Sequence, residues 1–123
     1  MQFDELSHRV IGCAIEVHKN LGPGLLESAY EQCIAFELSQ AQIAFKLQHS
    51  LPVNYKGVLL DCGYRADFLV ENSLIVELKC VEKLLPIHEA QLLTYMKMAR
   101  ARVGLLINFN VAVLREGIKR MVL

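Results

Sequence analysis

Arg65-Ala66-Asp67-Phe68-Leu69-Val70-Glu71-Asn72-Ser73-Leu74-Ile75-Val76-Glu77-Leu78-Lys79-Cys80 is the stretch on which the fold turns. Its two apolar halves, Arg65 to Val70 and Leu74 to Cys80, have the Val, Ile, Leu and Phe content of β-strands. Glu71-Asn72-Ser73 between them is a polar turn. If the turn is a three-residue hairpin loop, Val70 faces Leu74 and Asp67 faces Glu77. The two carboxylates then stand opposite each other with Cβ atoms about 5 Å apart. Lys79, two residues beyond Glu77, shares its face. A two-residue turn would instead send Asp67 and Glu77 to opposite faces and dissolve the constellation. Facing carboxylates repel, and a divalent cation with oxygen ligands, such as Mg²⁺, is the most economical way to reconcile them.

Working outward, the chain organises around this hairpin. Asp4 can cap a helix to about Lys19, with Leu6, Val10, Ala14 and Val17 on one stripe. Gly22-Pro23-Gly24 interrupts it, and a second helix is expected from about Leu25 to Gln40, covered by Leu26, Ala29, Cys33, Ile34 and the segment from Phe36 to Leu38. A three-strand meander follows, over roughly Ala44 to Tyr55, Val58 to Val70 and Leu74 to Val81. Lys56-Gly57 suits a tight hairpin turn, and Pro52 marks an edge or a bulge. Pro86 suits the first turn of a third helix, to about Arg100. Val103-Gly104-Leu105-Leu106-Ile107-Asn108-Phe109 scarcely alternates and reads as a strand covered on both faces. A parallel strand reached through a crossover helix implies a right-handed connection. The tail, Val111 to Arg115 and Ile118 to Val122 around Glu116-Gly117, is expected to form a final hairpin, with a short helix as the alternative. The expected class is α/β: a mixed sheet, with a three-strand antiparallel meander plus one parallel strand, flanked by helices.

At 123 residues the chain has room for one core, so residues 1–123 are expected to be a single domain. Hydrophobic residues make up 54% of it and the mean hydropathy is +0.32, yet no apolar run reaches the roughly 18 residues of a membrane span. The N-terminus lacks the basic and apolar regions of a signal peptide. A cytoplasmic protein is expected, with its surplus apolar surface covered in a homodimer. Thirteen basic and thirteen acidic residues cancel, which argues against nonspecific nucleic-acid binding by bulk charge but leaves a local patch open. Cys13, Cys33, Cys62 and Cys80 form no Cys-x-x-Cys pair, and buried free thiols are expected rather than disulfides or zinc.

Asp67 followed by Glu77-Leu78-Lys79 resembles the catalytic signature of the PD-(D/E)XK nuclease superfamily, with Ala66 where the superfamily's name has proline. Gly24-Leu25-Leu26-Glu27-Ser28-Ala29-Tyr30 resembles the motif of its small GxxExxY branch, and the likeness runs from about Leu6 to the C-terminus. The resemblance implies a restriction-endonuclease-like core and Mg²⁺- or Mn²⁺-dependent hydrolysis of phosphodiester bonds, with DNA as the substrate. It implies metal held by Asp67, Glu77 and the Leu78 carbonyl, and a catalytic set of Glu27, Asp67, Glu77, Lys79 and Gln91. Tyr30 and Tyr95 are the candidate substrate-side tyrosines: Tyr95 would line the cleft, and Tyr30 would pack with its hydroxyl bonded near the site. The basic residues Lys97 and Arg100, if they flank that cleft, could hold a phosphate backbone.

Each residue also has a plainer reading. Asp67 and Glu77 could belong to a charge network with Arg65 and Lys79, which face each other in the same register. Lys79 could be a counter-ion only. Glu27, in a helix's first turn, could simply offset the helix dipole. His88, Gln91 and Tyr95 could be one exposed helix stripe, and Lys97, Arg100 and Arg102 a solvated face. A protein that keeps such a fold to bind nucleic acid or a partner, without turnover, is the alternative function.

Overall fold

The computed structural model describes residues 4–123. Asp4 caps α1 (Glu5–Leu21): its carboxylate accepts from Leu6 N at 3.1 Å and from the Ser7 hydroxyl. Val10, Ala14 and Val17 form the buried stripe. Gly22, at φ 67°, ends the helix, with its N–H donating to His18 O at 2.7 Å. In α2 (Glu27–Gln40) the buried residues are Tyr30, Ile34 and Leu38, at helical spacing. Leu26 and Phe36, expected as apolar cover, are 77% and 59% exposed, because the buried stripe runs through Tyr30 instead.

The expected meander exists, but its first two strands are each broken in two. β1 (Phe45–Ser50) stops before Leu51-Pro52, and β2 (Val53–Tyr55) and β3 (Val58–Leu60) leave the main sheet as a separate two-stranded ribbon. Pro52 cannot donate a ladder hydrogen bond. On the return, Asp61 accepts from Gly63 N, with Gly63 at φ 79°, before β4 (Arg65–Val70) begins. The Lys56-Gly57 turn is as expected, with both residues at positive φ.

The main sheet has the order β1-β4-β5-β6-β7, with β5 (Leu74–Lys79) next to β4 and parallel to β6 (Val103–Asn108). α3 (Pro86–Ala99) makes the crossover between them. All of β6 beyond Val103 is buried, as its unbroken apolar run requires. The tail departs from the expected hairpin. Leu114–Gly117 is a single 3₁₀ turn, and β7 (Ile118–Val122) pairs antiparallel with β6. An open edge on β6 was available, and pairing there satisfies more backbone than an isolated hairpin could.

Helices α1 and α2 cover one sheet face, where Val10, Tyr30, Ile34 and Leu38 meet Phe68, Val76, Leu105 and Phe109. On the other face Leu92, Tyr95 and Met96 of α3 meet Leu69, Ile75 and Leu106. This is an α/β fold with a mixed sheet flanked by helices, consistent with a restriction-endonuclease-like core. No described helix is long and apolar enough to cross a membrane. Cys13, Cys33, Cys62 and Cys80 are free thiols; Cys62 is exposed and the others are only partly buried, short of the full burial expected.

Candidate active site

The β4–β5 hairpin has the three-residue loop that the sequence implied. Glu71 and Asn72 sit at φ 51° and 54°, Ser73 N donates to Val70 O at 3.0 Å, and Val70 pairs with Leu74. The ladder runs through Leu69–Ile75 and Phe68–Val76 and then stops. At the next position side chains replace the backbone pairing. Asp67 N donates to Glu77 Oε2 at 2.6 Å, and Leu78 N donates to Asp67 Oδ2 at 2.8 Å. The two strands are thus held apart by their own carboxylates. Ala66 packs in the α3-side core and Phe68 in the opposite one, so the in–out alternation slips at Asp67. That slip places Asp67 on a cleft of about 160 Å³ lined also by Glu27, Ser28, Glu31, Gln48 and Leu78.

Glu77 is 6% exposed. Burial first, then the Asp67 charge, lift its carboxyl from the ordinary 4.5 to about 8; the Asp67 N–H and the Lys79 charge oppose the shift without cancelling it. Glu27, the first residue of α2, also titrates high, through burial and then the Asp67 charge, with Lys79 opposing and Glu31 adding. A residue that merely offset the helix dipole would shift downward. Here the shift is upward, set by burial first and by the Asp67 charge second. Lys79 forms no ion pair with these acids; its Nζ meets Gln91 Oε1 at 3.5 Å. Gln91 Nε2 in turn donates to the Tyr95 hydroxyl at 3.1 Å. Burial and then the Glu77 charge push the Tyr95 phenol up, which puts that hydroxyl within the field of the acids. Arg65 is exposed. Among the described residues, the charge-network reading therefore has no direct pair to rest on at Asp67 or Glu77.

The structure brings Glu27, Asp67, Glu77, Leu78, Lys79, Gln91 and Tyr95 to one end of the sheet. Three other candidates lie elsewhere. Tyr30 is fully buried, stacked on Phe109 with ring centroids 4.3 Å apart, and is not placed to touch substrate. Its hydroxyl donates to Gly22 O at 2.6 Å and accepts from Leu25 N at 3.2 Å. It therefore pins the loop that delivers Glu27, which explains why Gly24 (φ 102°), Glu27 and Tyr30 occur together. Arg100 caps the C-terminus of α3 at φ 56° and lines a hollow with Asn72 and Leu74. Leu74 starts β5 and Lys79 ends it, so Arg100 lies at the far end of the sheet, roughly 16 Å away along the strand. Lys97 is exposed and six residues past Gln91, which turns it to another side of α3. Glu31 and Gln48 line the cleft and had no assigned role in the sequence reading. Glu31 was legible as the residue four beyond Glu27 on one helix face; Gln48 carried no such signal.

Removing only the hydroxyl, in Tyr30→Phe, should keep the ring stack and free the loop. We expect a loss of about 1 kcal/mol by chemical denaturation, with a larger proportional loss of any activity that depends on Glu27.

Residues 4–121 match the PD-(D/E)XK nuclease superfamily. Comparison with curated proteins and with solved structures found no match. The chain belongs to the PD-(D/E)XK nuclease superfamily, whose members generally use divalent metal ions. Among the described residues, no three His, Cys, Asp or Glu side chains form a ready cage for a metal. The donor set here is different and still suits a hard cation. Asp67 and Glu77 each accept a backbone N–H on one carboxylate oxygen; the other oxygen of Glu77, and the remaining lone pair of Asp67 Oδ1, which also accepts from Gln48 at 3.3 Å, are left to offer. The Glu77 carboxyl is raised first by its burial and then by the Asp67 charge beside it, and a bound cation would oppose both.

Proposed function

We propose that this protein hydrolyses phosphodiester bonds of nucleic acid, with DNA as the substrate, and that it belongs to the GxxExxY branch of its superfamily. The observation that carries the reading is the reciprocal clasp of Asp67 and Glu77 at the point where β4 and β5 part, with Lys79 and Gln91 beside it. Asp67, Glu77 and the Leu78 carbonyl would hold Mg²⁺ or Mn²⁺, which when bound supplies charge neutralisation at the phosphate and a lowered pKa for water. Lys79, a compact charge on a flexible stem, orients the attacking water and faces the scissile phosphate. Gln91, anchored on Tyr95, limits the positions that the Lys79 amine can take. Glu27, on the cleft wall, would reach the metal through a water or hydrogen-bond with Lys79. The free thiols suit a reducing, cytoplasmic setting.

Purified protein should nick or linearise plasmid DNA in Mg²⁺ or Mn²⁺ and do neither in EDTA. DNA binding in Ca²⁺ without cleavage in any of these ions would favour a binding protein that keeps the fold. A homodimer belongs to the same reading. Val58 (56% exposed), Leu59 (68%) and Leu60 (42%) stand on the β2–β3 ribbon, an apolar surface that a second copy would cover. Light scattering at micromolar concentration should give twice the chain mass, and Leu59→Lys should shift it to one. A wild-type monomer at that concentration would rule the dimer out.

A further inference from the structure

Gln48 stands opposite Asp67 in the β1–β4 register, between the pairs Leu47–Phe68 and His49–Ala66, yet it is missing from the ladder. Its backbone lies at φ 48° in the middle of a strand. Such a conformation is strained for a non-glycine residue, and residues so held concentrate at functional sites. The turn aims the side chain across the strand. Gln48 Nε2 donates to Glu31 Oε1 at 2.6 Å and to Asp67 Oδ1 at 3.3 Å. Asp67 Oδ2 already accepts from Leu78 N, so the amide contacts the other carboxylate oxygen. Both oxygens of Asp67 are therefore oriented, one from β5 and one from β1.

We propose that Gln48 is a positioning residue that fixes the rotation of the Asp67 carboxylate for its metal, with Glu31 as the anchor that holds the amide. This rests on the reading of Asp67 as a metal ligand. An amide suits the task because it donates without bringing a positive charge that would compete with the cation. Outer partners of metal-binding carboxylates act in this way, and their loss typically costs affinity without removing a ligand. The plainer reading is that Gln48 only kinks an edge strand, which discourages edge-to-edge pairing.

The two readings differ in how stability and metal affinity move together. Gln48→Gly relieves the left-handed backbone and removes the donor. We expect its melting temperature in EDTA to equal or exceed that of wild type, while Mn²⁺ affinity by calorimetry falls about 10-fold. Gln48→Met keeps the stem and the strained backbone and removes only the donor. It should lose Mn²⁺ affinity to a similar extent, and the paramagnetic resonance spectrum of bound Mn²⁺ should broaden as the carboxylate gains freedom. Asp67→Asn serves as the reference for loss of the ligand itself. If wild type binds Mn²⁺, Asp67→Asn does not, and both Gln48 variants bind like wild type with an unchanged spectrum, the role of Gln48 is overturned and the metal site stands. Wild-type protein that binds no Mn²⁺ would overturn both.

Discussion

Glu77→Gln should make the metal-free protein more stable at neutral pH and abolish metal binding and cleavage. Glu77 is buried beside Asp67, and its carboxyl is lifted from 4.5 to about 8. Below pH 4.5 the folded and unfolded chains both carry the proton and the group costs nothing. Between 4.5 and 8 the unfolded chain ionises while the folded chain keeps the proton, so stability falls as pH rises. Above 8 the whole cost is present, about 5 kcal/mol. Glutamine removes the charge and keeps an oxygen that can accept from Asp67 N. The variant should therefore lack this slope, and urea denaturation in EDTA across pH 4.5 to 9 would show wild type converging on it at the acid end. Asp67→Asn should act in the same direction with a smaller effect, because it removes one of the causes of the Glu77 shift and keeps an acceptor for Leu78 N. Metal binding by wild type should strengthen with pH up to about 8 and release a proton below it. An Asp67→Asn protein strongly destabilised in EDTA would show that the acid is a structural partner, and the nuclease reading would lose its main physical support.

Lys79→Met is expected to behave in the opposite way on stability. Its amine lies in the field of Glu77 and Glu27 and lowers the cost of both charges. Methionine keeps most of the stem's packing and removes the cation, so the metal-free protein should lose about 1 kcal/mol at pH 8, and less near pH 5, where the acids are protonated. Cleavage should fall roughly 10²- to 10³-fold, the usual effect of deleting one charge-stabilising donor at a reacting centre. Mn²⁺ affinity should hold or rise, because a positive neighbour is gone. A variant that cleaves as well as wild type would reduce Lys79 to a counter-ion. Rapid plasmid cleavage together with calorimetry distinguishes the two roles, because only the water-positioning role separates activity from metal binding.

The hairpin at Asp67 and Glu77 could be read directly because its information is local. A polar three-residue link and two apolar runs are enough to set Val70 against Leu74, and the pairs Leu69–Ile75 and Phe68–Val76 follow from that register before the ladder ends at Asp67. The capped first helix, the Lys56-Gly57 turn and the doubly covered β6 were legible for the same reason: each rests on a cap, a turn residue or a periodicity within a few neighbours. Glu27 and Gln91 were reachable only through resemblance, since nothing near them in the chain indicates which helix end meets the hairpin.

Other features depended on the tertiary structure. Arg100 and Lys97 looked like phosphate contacts because charge can be counted along the chain, but which end of a strand a helix terminus reaches is a matter of packing. Tyr30 spent its hydroxyl on Gly22 and Leu25, a choice set by how α2 docks on Phe109. The tail strand took the free edge of β6 in place of a local partner. Gln48 shows the limit most clearly: its left-handed backbone and its contact with Asp67 arise only where β1, β4 and α2 converge. The sequence by itself determined the hairpin register, the Asp4 cap and the meeting of Asp67 with Glu77, because short-range sterics and alternation decide those. Only the tertiary structure decided which other side chains face the acids, because burial and like-charge repulsion act between segments far apart in the chain.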